Sequence, residues 1–134
     1  MKKLTTLFKK TALMGFIIVA ITSCSNAQKG DFTNINATQV PELLKAEKAI
    51  IIDVRTAGEV AQGYIEGTTI FIDVQSSDFQ SKINALDKTK SYVVYCRSGG
   101  RSASASNIMT QNGFTKVYNL EGGIGRWNGN IIKP

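Results

Sequence analysis

Tyr92-Val93-Val94-Tyr95-Cys96-Arg97-Ser98-Gly99-Gly100-Arg101-Ser102 is the stretch from which the fold is read. Tyr92 to Tyr95 is an unbroken run of β-branched and aromatic residues, the pattern of a strand buried on both faces. It enters a glycine-containing loop without a spacer. Ala103 to Gln111 follows as a helix, ended by Asn112-Gly113. A buried strand, a tight loop and a helix form half of a crossover unit in a parallel sheet.

The flanking sequence repeats this grammar. Upstream, Phe32–Ile35 is an edge-strand candidate. A helix is expected over Val40–Ala46, with Thr38 as its N-cap. Ala49–Val54 (AIIIDV) is a second buried strand, and Gly58–Ala61 a helical turn. Thr69–Val74 is a further strand candidate, and Asp78–Leu86 a helix with Phe79, Ile83 and Leu86 on one face. Downstream, Val117–Leu120 is a last strand, and Gly122-Gly123 opens a short helix holding Trp127. The expected architecture is a single α/β domain with a mostly parallel central sheet of about five strands and helices on both faces. In such sheets the ligand sits beyond the carboxyl ends of the strands, where Cys96 lies.

The N-terminus follows a different pattern. Lys2, Lys3, Lys9 and Lys10 precede the apolar run Thr11–Ile21, which is too short to span a bilayer comfortably. Ile21-Thr22-Ser23-Cys24 resembles the lipobox of bacterial lipoproteins. That resemblance implies a signal peptide over residues 1–23, lipidation of Cys24, a tether over 24–30 and a domain over 31–134. It places the protein outside the cytosol, lipid-anchored to a bacterial membrane and facing the periplasm. The formal charge of +6 rests on 16 Lys+Arg against 10 Asp+Glu; without the four leader lysines, 12 cations remain and the excess falls to +2. An excess that small gives no case for nucleic-acid binding.

With Cys24 consumed by lipid, Cys96 is an unpaired thiol. The chain has no histidine, which excludes Ser-His-Asp and Cys-His catalysis and any His-ligated metal site. No cofactor is called for. Gly99 and Gly100 let the loop curl, so that amide N–H groups converge ahead of the helix and hold an anion. Such an environment, with Arg97 and Arg101 beside it, lowers a thiol pKa and makes Cys96 a nucleophile. The two arginines can also fork onto an anionic substrate.

At this loop the sequence resembles the rhodanese family, and its single-domain members in particular. Three further segments carry the resemblance: Ile51-Ile52-Asp53-Val54-Arg55 followed by Glu59; Gly63-Tyr64-Ile65-Glu66-Gly67; and Leu120-Glu121-Gly122-Gly123-Ile124 with Trp127. Tyr64 and Glu66 stand where the family has histidine and proline. The resemblance implies a sulfurtransferase: Cys96 takes a sulfur from thiosulfate or a similar anionic donor, and passes it to cyanide or a small thiol. It implies substrate binding by Arg97, Ser98, Gly99, Gly100, Arg101 and Ser102. Asp53 and Arg55 are expected to pair and to support the loop, and the better reading of Glu59 is structural.

Three rivals stand beside this. Cysteine phosphatases and arsenate reductases place five residues between their cysteine and arginine, whereas four separate Cys96 from Arg101. A binding module or persulfide carrier would take sulfur from a protein partner; the intact loop argues against a cysteine-independent module. A thioredoxin-like role needs a resolving cysteine near Cys96, and the sequence has none there.

Overall fold

The computed structural model describes residues 31–134. The expected signal segment 1–23 and the expected tether 24–30, Cys24 included, lie outside these described residues. Five strands form one parallel sheet: β1 (Thr33–Ile35), β2 (Ile50–Asp53), β4 (Thr68–Phe71), β5 (Ser91–Tyr95) and β6 (Lys116–Leu120). Their spatial order is β1-β6-β5-β2-β4, so β5 is central. A buried strand must satisfy its backbone on both sides and bury alternate side chains on both faces. β5 does both: it pairs with β2 and β6, and every residue of it is buried.

The alternation along β5 sorts the core into two layers. Tyr92, Val94 and Cys96 point to one face, packing with Phe79 and Ile83 of α3 (Phe79–Asn84) and with Ala105 and Met109 of α4 (Gly100–Gln111). Val93 and Tyr95 point to the other, with Val40 and Leu43 of α1 (Val40–Ala46), Ile124 and Trp127. Helices therefore cover both faces, as the apolar runs of β2 and β5 predict. Each fully buried branched side chain here contributes about 1.5–3 kcal/mol. Trp127 closes the lower layer; it follows the 3-10 turn Gly123–Arg126 and is not inside it.

Several boundaries differ from expectation. Asn36, not Thr38, caps the first helical segment: its Oδ1 accepts from the Thr38 N–H at 3.0 Å, and Gln39 Oε1 accepts from the Asn36 N–H at 2.9 Å. This box caps a 3-10 turn, Ala37–Gln39, which runs directly into α1. β4 stops at Phe71 because the chain beyond it swings over the end of β2; Ile72 N–H donates to Asp53 O at 3.0 Å, and Val74 N–H to Val54 O at 3.1 Å. α4 begins at Gly100, so Gly100, Arg101 and Ser102 form its first turn and the loop proper is Arg97–Gly99.

One feature has no counterpart in the periodicity. β3 (Tyr64–Ile65) and β7 (Ile131–Ile132) pair antiparallel as a small second sheet. Glu66 belongs to this staple: its N–H donates to Asn130 O at 3.1 Å, and its carboxylate accepts from Asn130 Nδ2 at 2.8 Å. Tyr64 sets its ring edge against Phe71, with centroids 4.9 Å apart.

Candidate active site

Cys96 is the first residue past the carboxyl end of β5, and its side chain is 1% exposed. The backbone then turns back on itself. Gly99 adopts φ +104°, a conformation that costs a residue with a Cβ dearly, and its N–H donates to Cys96 Sγ at 3.1 Å. Ser102, one turn into α4, donates its hydroxyl to the same sulfur at 3.4 Å. Gly100, although also a glycine, is helical and plays no such conformational part.

These donors oppose the cost of burial. Burial alone pushes the Cys96 thiol up; the Ser102 hydroxyl and the N–H groups of Ser102, Gly99 and Ser98 outweigh it and bring the pKa below the ordinary value. The sign is that of an anion stabilised by folding. The folded state releases this proton more readily than the unfolded chain, and the thiolate persists to lower pH. Alkylation rate against pH should therefore show a midpoint below that of an ordinary thiol, and Ser102→Ala should move it upward. A native midpoint at or above the ordinary value would contradict the arrangement.

The loop is also held from behind. Ile124 N–H donates to Cys96 O at 2.9 Å and Gly125 N–H donates to Arg97 O at 3.0 Å. Immediately before them Gly123, at φ +52°, presses so close that a Cβ there would lie 2.2 Å from Cys96 O. The turn after β6 is thus the back wall of the nucleophile's cradle.

The two loop arginines are placed differently. The Arg97 side chain is exposed and makes no hydrogen bond or ion pair among the described residues. Arg101, expected to bind substrate, has its fork turned onto Glu59 instead: Nη1 reaches Oε2 and Nη2 reaches Oε1, both at 2.7 Å. The Arg101 guanidinium, ahead of the opposing effect of burial, holds the Glu59 carboxyl at about 2. Glu59 also caps α2 (Ala57–Val60), accepting from the Thr56 N–H at 3.1 Å. It therefore ties α2 to the first turn of α4. Both residues stand in quoted motifs, but no local signal pairs groups 42 residues apart. Sequence reasoning left Glu59 a general structural part and missed what it clamps.

Asp53 and Arg55 do form an ion pair, with Nη2 2.7 Å from Oδ2 and side chains 6% and 0% exposed for Arg55 and Asp53. Removing one partner of such a pair leaves an uncompensated buried charge and costs about 3–5 kcal/mol. The pair braces the turn before β3 more directly than the cysteine loop. Arg55 Nη2 also donates to Gly63 O at 2.8 Å, and its guanidinium lies 5.7 Å from the centre of the Tyr95 ring. Tyr95 in turn accepts from the Ile65 N–H at 3.1 Å. Burial raises the Tyr95 phenol to about 12, so it is a neutral structural group.

A hydrogen-bonded thiol of lowered pKa at the mouth of a parallel sheet can, as its thiolate, attack an electrophilic atom and then leave again. The model of the rhodanese-like domain family matches residues 36–130. A Bacillus subtilis protein named "Putative sulfurtransferase YtwF" is 35% identical over 100 residues, 74% of this chain and 93% of that one. A protein named sulfurtransferase from Allochromatium vinosum is 34% identical over 85 residues, 63% of this chain and 77% of that one. tRNA uridine(34) hydroxylases of Buchnera aphidicola are 38% identical over 96 residues, but the match spans only 29% of their length. Among solved structures, a rhodanese-related protein from Thermoplasma volcanium superposes with a TM-score of 0.66 at 32% identity, covering 77% of this chain and all of that one.

Proposed function

Because this chain belongs to the rhodanese-like domain family, we propose that it moves a sulfane sulfur from thiosulfate or a similar anionic donor to a thiol or cyanide acceptor, through a persulfide on Cys96. Relatives named as sulfurtransferases support the general enzyme class. The finer reading rests on one observation above all: a buried Sγ that accepts from the Gly99 N–H at 3.1 Å.

In the first half-reaction the Cys96 thiolate attacks the outer sulfur of the donor. The donor's sulfur–sulfur bond breaks, and sulfite leaves with the electron pair. The amides of Ser98 and Gly99 and the Ser102 hydroxyl, which had held the thiolate, are then available to the persulfide. In the second half-reaction an acceptor takes the outer sulfur and Cys96 departs as a thiolate. Two half-reactions through a covalent intermediate give ping-pong kinetics. Arg97, free at the loop, is the group that meets the donor's anionic end. Arg101 is a positioning residue, fixing the first turn of α4 through Glu59.

A phosphatase reading fits less well. A solved structure from Rhodopseudomonas palustris described as a possible tyrosine phosphatase is 27% identical, with a TM-score of 0.61. Here, however, the only arginine late in the loop has both terminal nitrogens on Glu59. The loop is also one residue shorter than that chemistry uses.

The decisive test is intact mass. Thiosulfate should add one sulfur to the protein, and a reductant should remove it; no mass gain would defeat the proposal. In steady-state assays Arg97→Ala should raise the KM for thiosulfate about tenfold, the loss of one modest charge-assisted contact. An unchanged KM would take Arg97 out of donor binding.

We also propose that the protein is exported and anchored through lipid on Cys24, with the domain facing the periplasm. The basic leader, the apolar run and Ile21-Thr22-Ser23-Cys24 support this. Cys24→Ser should appear in the soluble fraction with its sulfur transfer intact; retention in membranes would refute the anchor.

A further inference from the structure

A cavity of about 770 Å³ opens beside the cysteine loop, walled by β1, β6, the start of α4 and the turn after β6. Arg97, Ser98 and Gly99 belong both to this wall and to the loop around Cys96. Gly99 therefore serves two neighbours, the reacting sulfur through its N–H and the cavity through its exposed side.

The remaining wall is polar and incompletely satisfied. Asn119 is 3% exposed, and its Nδ2 donates to Asn34 Oδ1 at 2.9 Å and to Gly99 O at 3.4 Å. A carbonyl can only accept, so the second contact fixes which end of the amide carries the hydrogens. Asn119 Oδ1 is then left without a donor; among the described residues, only Ser106 Oγ shares that state as a buried side-chain atom. An orphaned buried acceptor is costly and calls for an explanation. Around Asn119 stand two exposed guanidinium groups, Arg97 and Arg126, and one exposed carboxylate, Glu121. None of the three makes an ion pair among the described residues.

We infer that this cavity docks the non-reacting end of the sulfur acceptor, and that the acceptor is a thiol bearing both a carboxylate and an amine. This rests on the sulfur-transfer reading above. Arg97 and Arg126 take the carboxylate, for which a guanidinium fork is matched. Asn119 Oδ1 and Glu121 take the amine's hydrogens. Glu121 disfavours an acceptor with negative charge alone. Cyanide has neither a donor hydrogen nor a carboxylate and uses none of these groups.

The transfer step balances without an external oxidant. The acceptor thiol loses its proton to solvent, and its sulfur bonds to the outer sulfur of the Cys96 persulfide. The bond from that sulfur to Sγ breaks, and the electron pair leaves with Cys96 as thiolate. The acceptor departs as a persulfide.

The test uses the protein as it stands and thioethers that cannot react. S-methylcysteine, S-methylcysteamine (no carboxylate) and 3-(methylthio)propionate (no amine) are titrated while backbone amide resonances are followed. S-methylcysteine should bind saturably, about tenfold tighter than either truncated probe, a preference of about 1.4 kcal/mol. Its shifts should gather at Asn34, Gly99, Asn119 and Arg126. Arg126→Gln should narrow its advantage over S-methylcysteamine. Three equal affinities, no saturation, or shifts gathered at Arg55, Phe71 and Asp73 would overturn the inference. Loading by thiosulfate is scored separately by mass. Loading without this selectivity removes the acceptor site alone. Selectivity without loading removes sulfur transfer, and with it the acceptor role.

Discussion

Cys96→Ala should fold and should lack sulfur transfer. The thiol sits in the apolar layer between β5 and α4, where free cysteine packs as a small hydrophobe. Losing one sulfur atom there costs about 1 kcal/mol, in the range of an ordinary core truncation. The backbone contacts of the loop do not use the sulfur: Ile124 and Gly125 hold the Cys96 and Arg97 carbonyls directly. Chemistry should fall to background, because no other cysteine exists among the described residues. Thermal unfolding should show a near-native transition, while thiosulfate adds no mass and cyanide yields no thiocyanate. Normal turnover by this variant would end the assignment.

Gly123→Ala should damage both stability and chemistry, although residue 123 never touches the sulfur. A methyl group there would lie 2.2 Å from Cys96 O and 2.7 Å from the Arg97 carbonyl carbon and oxygen. These are backbone atoms, so no rotamer change relieves the overlap. The φ of +52° adds the left-handed penalty of about 1–2 kcal/mol. Overpacking of a close contact adds about 1–3 kcal/mol, and here the upper end applies. The expected loss is about 4 kcal/mol, read from a urea midpoint. The surviving folded fraction must push the turn away, releasing the carbonyls of Cys96 and Arg97. The thiol midpoint should then rise, and loading by thiosulfate should slow at least tenfold, about 1.4 kcal/mol. Native stability with native loading would show that the back wall is not required.

The fold was legible where burial is two-sided. The apolar runs of β2 and β5 admit few other readings, and both strands lie where those runs place them. The strand expected over Thr69–Val74 ends at Phe71, because Ile72 and Val74 are apolar yet serve the packing beyond the sheet edge. The β3–β7 pair was illegible: two-residue strands carry no period, and their pairing joins residues far apart in the chain. In the site, Cys96 and the turn at Gly99 follow from local rules of strand end and glycine. Gly100 is not equivalent to Gly99, since the helix begins three residues earlier than the expected Ala103. The bond between Glu59 and Arg101 and the support from Ile124 and Gly125 are tertiary. A single sequence lists those residues without joining them.

Apart from the Ser102 hydroxyl, the cradle around the sulfur is built from peptide groups: the amides of Ser98, Gly99 and Ser102 face Sγ, and two more secure the carbonyls behind it. Such groups are the same whatever side chains hang from them. Residues 97 and 98 are consequently interchangeable as far as thiol reactivity goes, provided the chain keeps its path. Reactivity and choice of partner are thereby decoupled: a lineage can rewrite the rim for a new donor or acceptor while the nucleophile keeps its tuning.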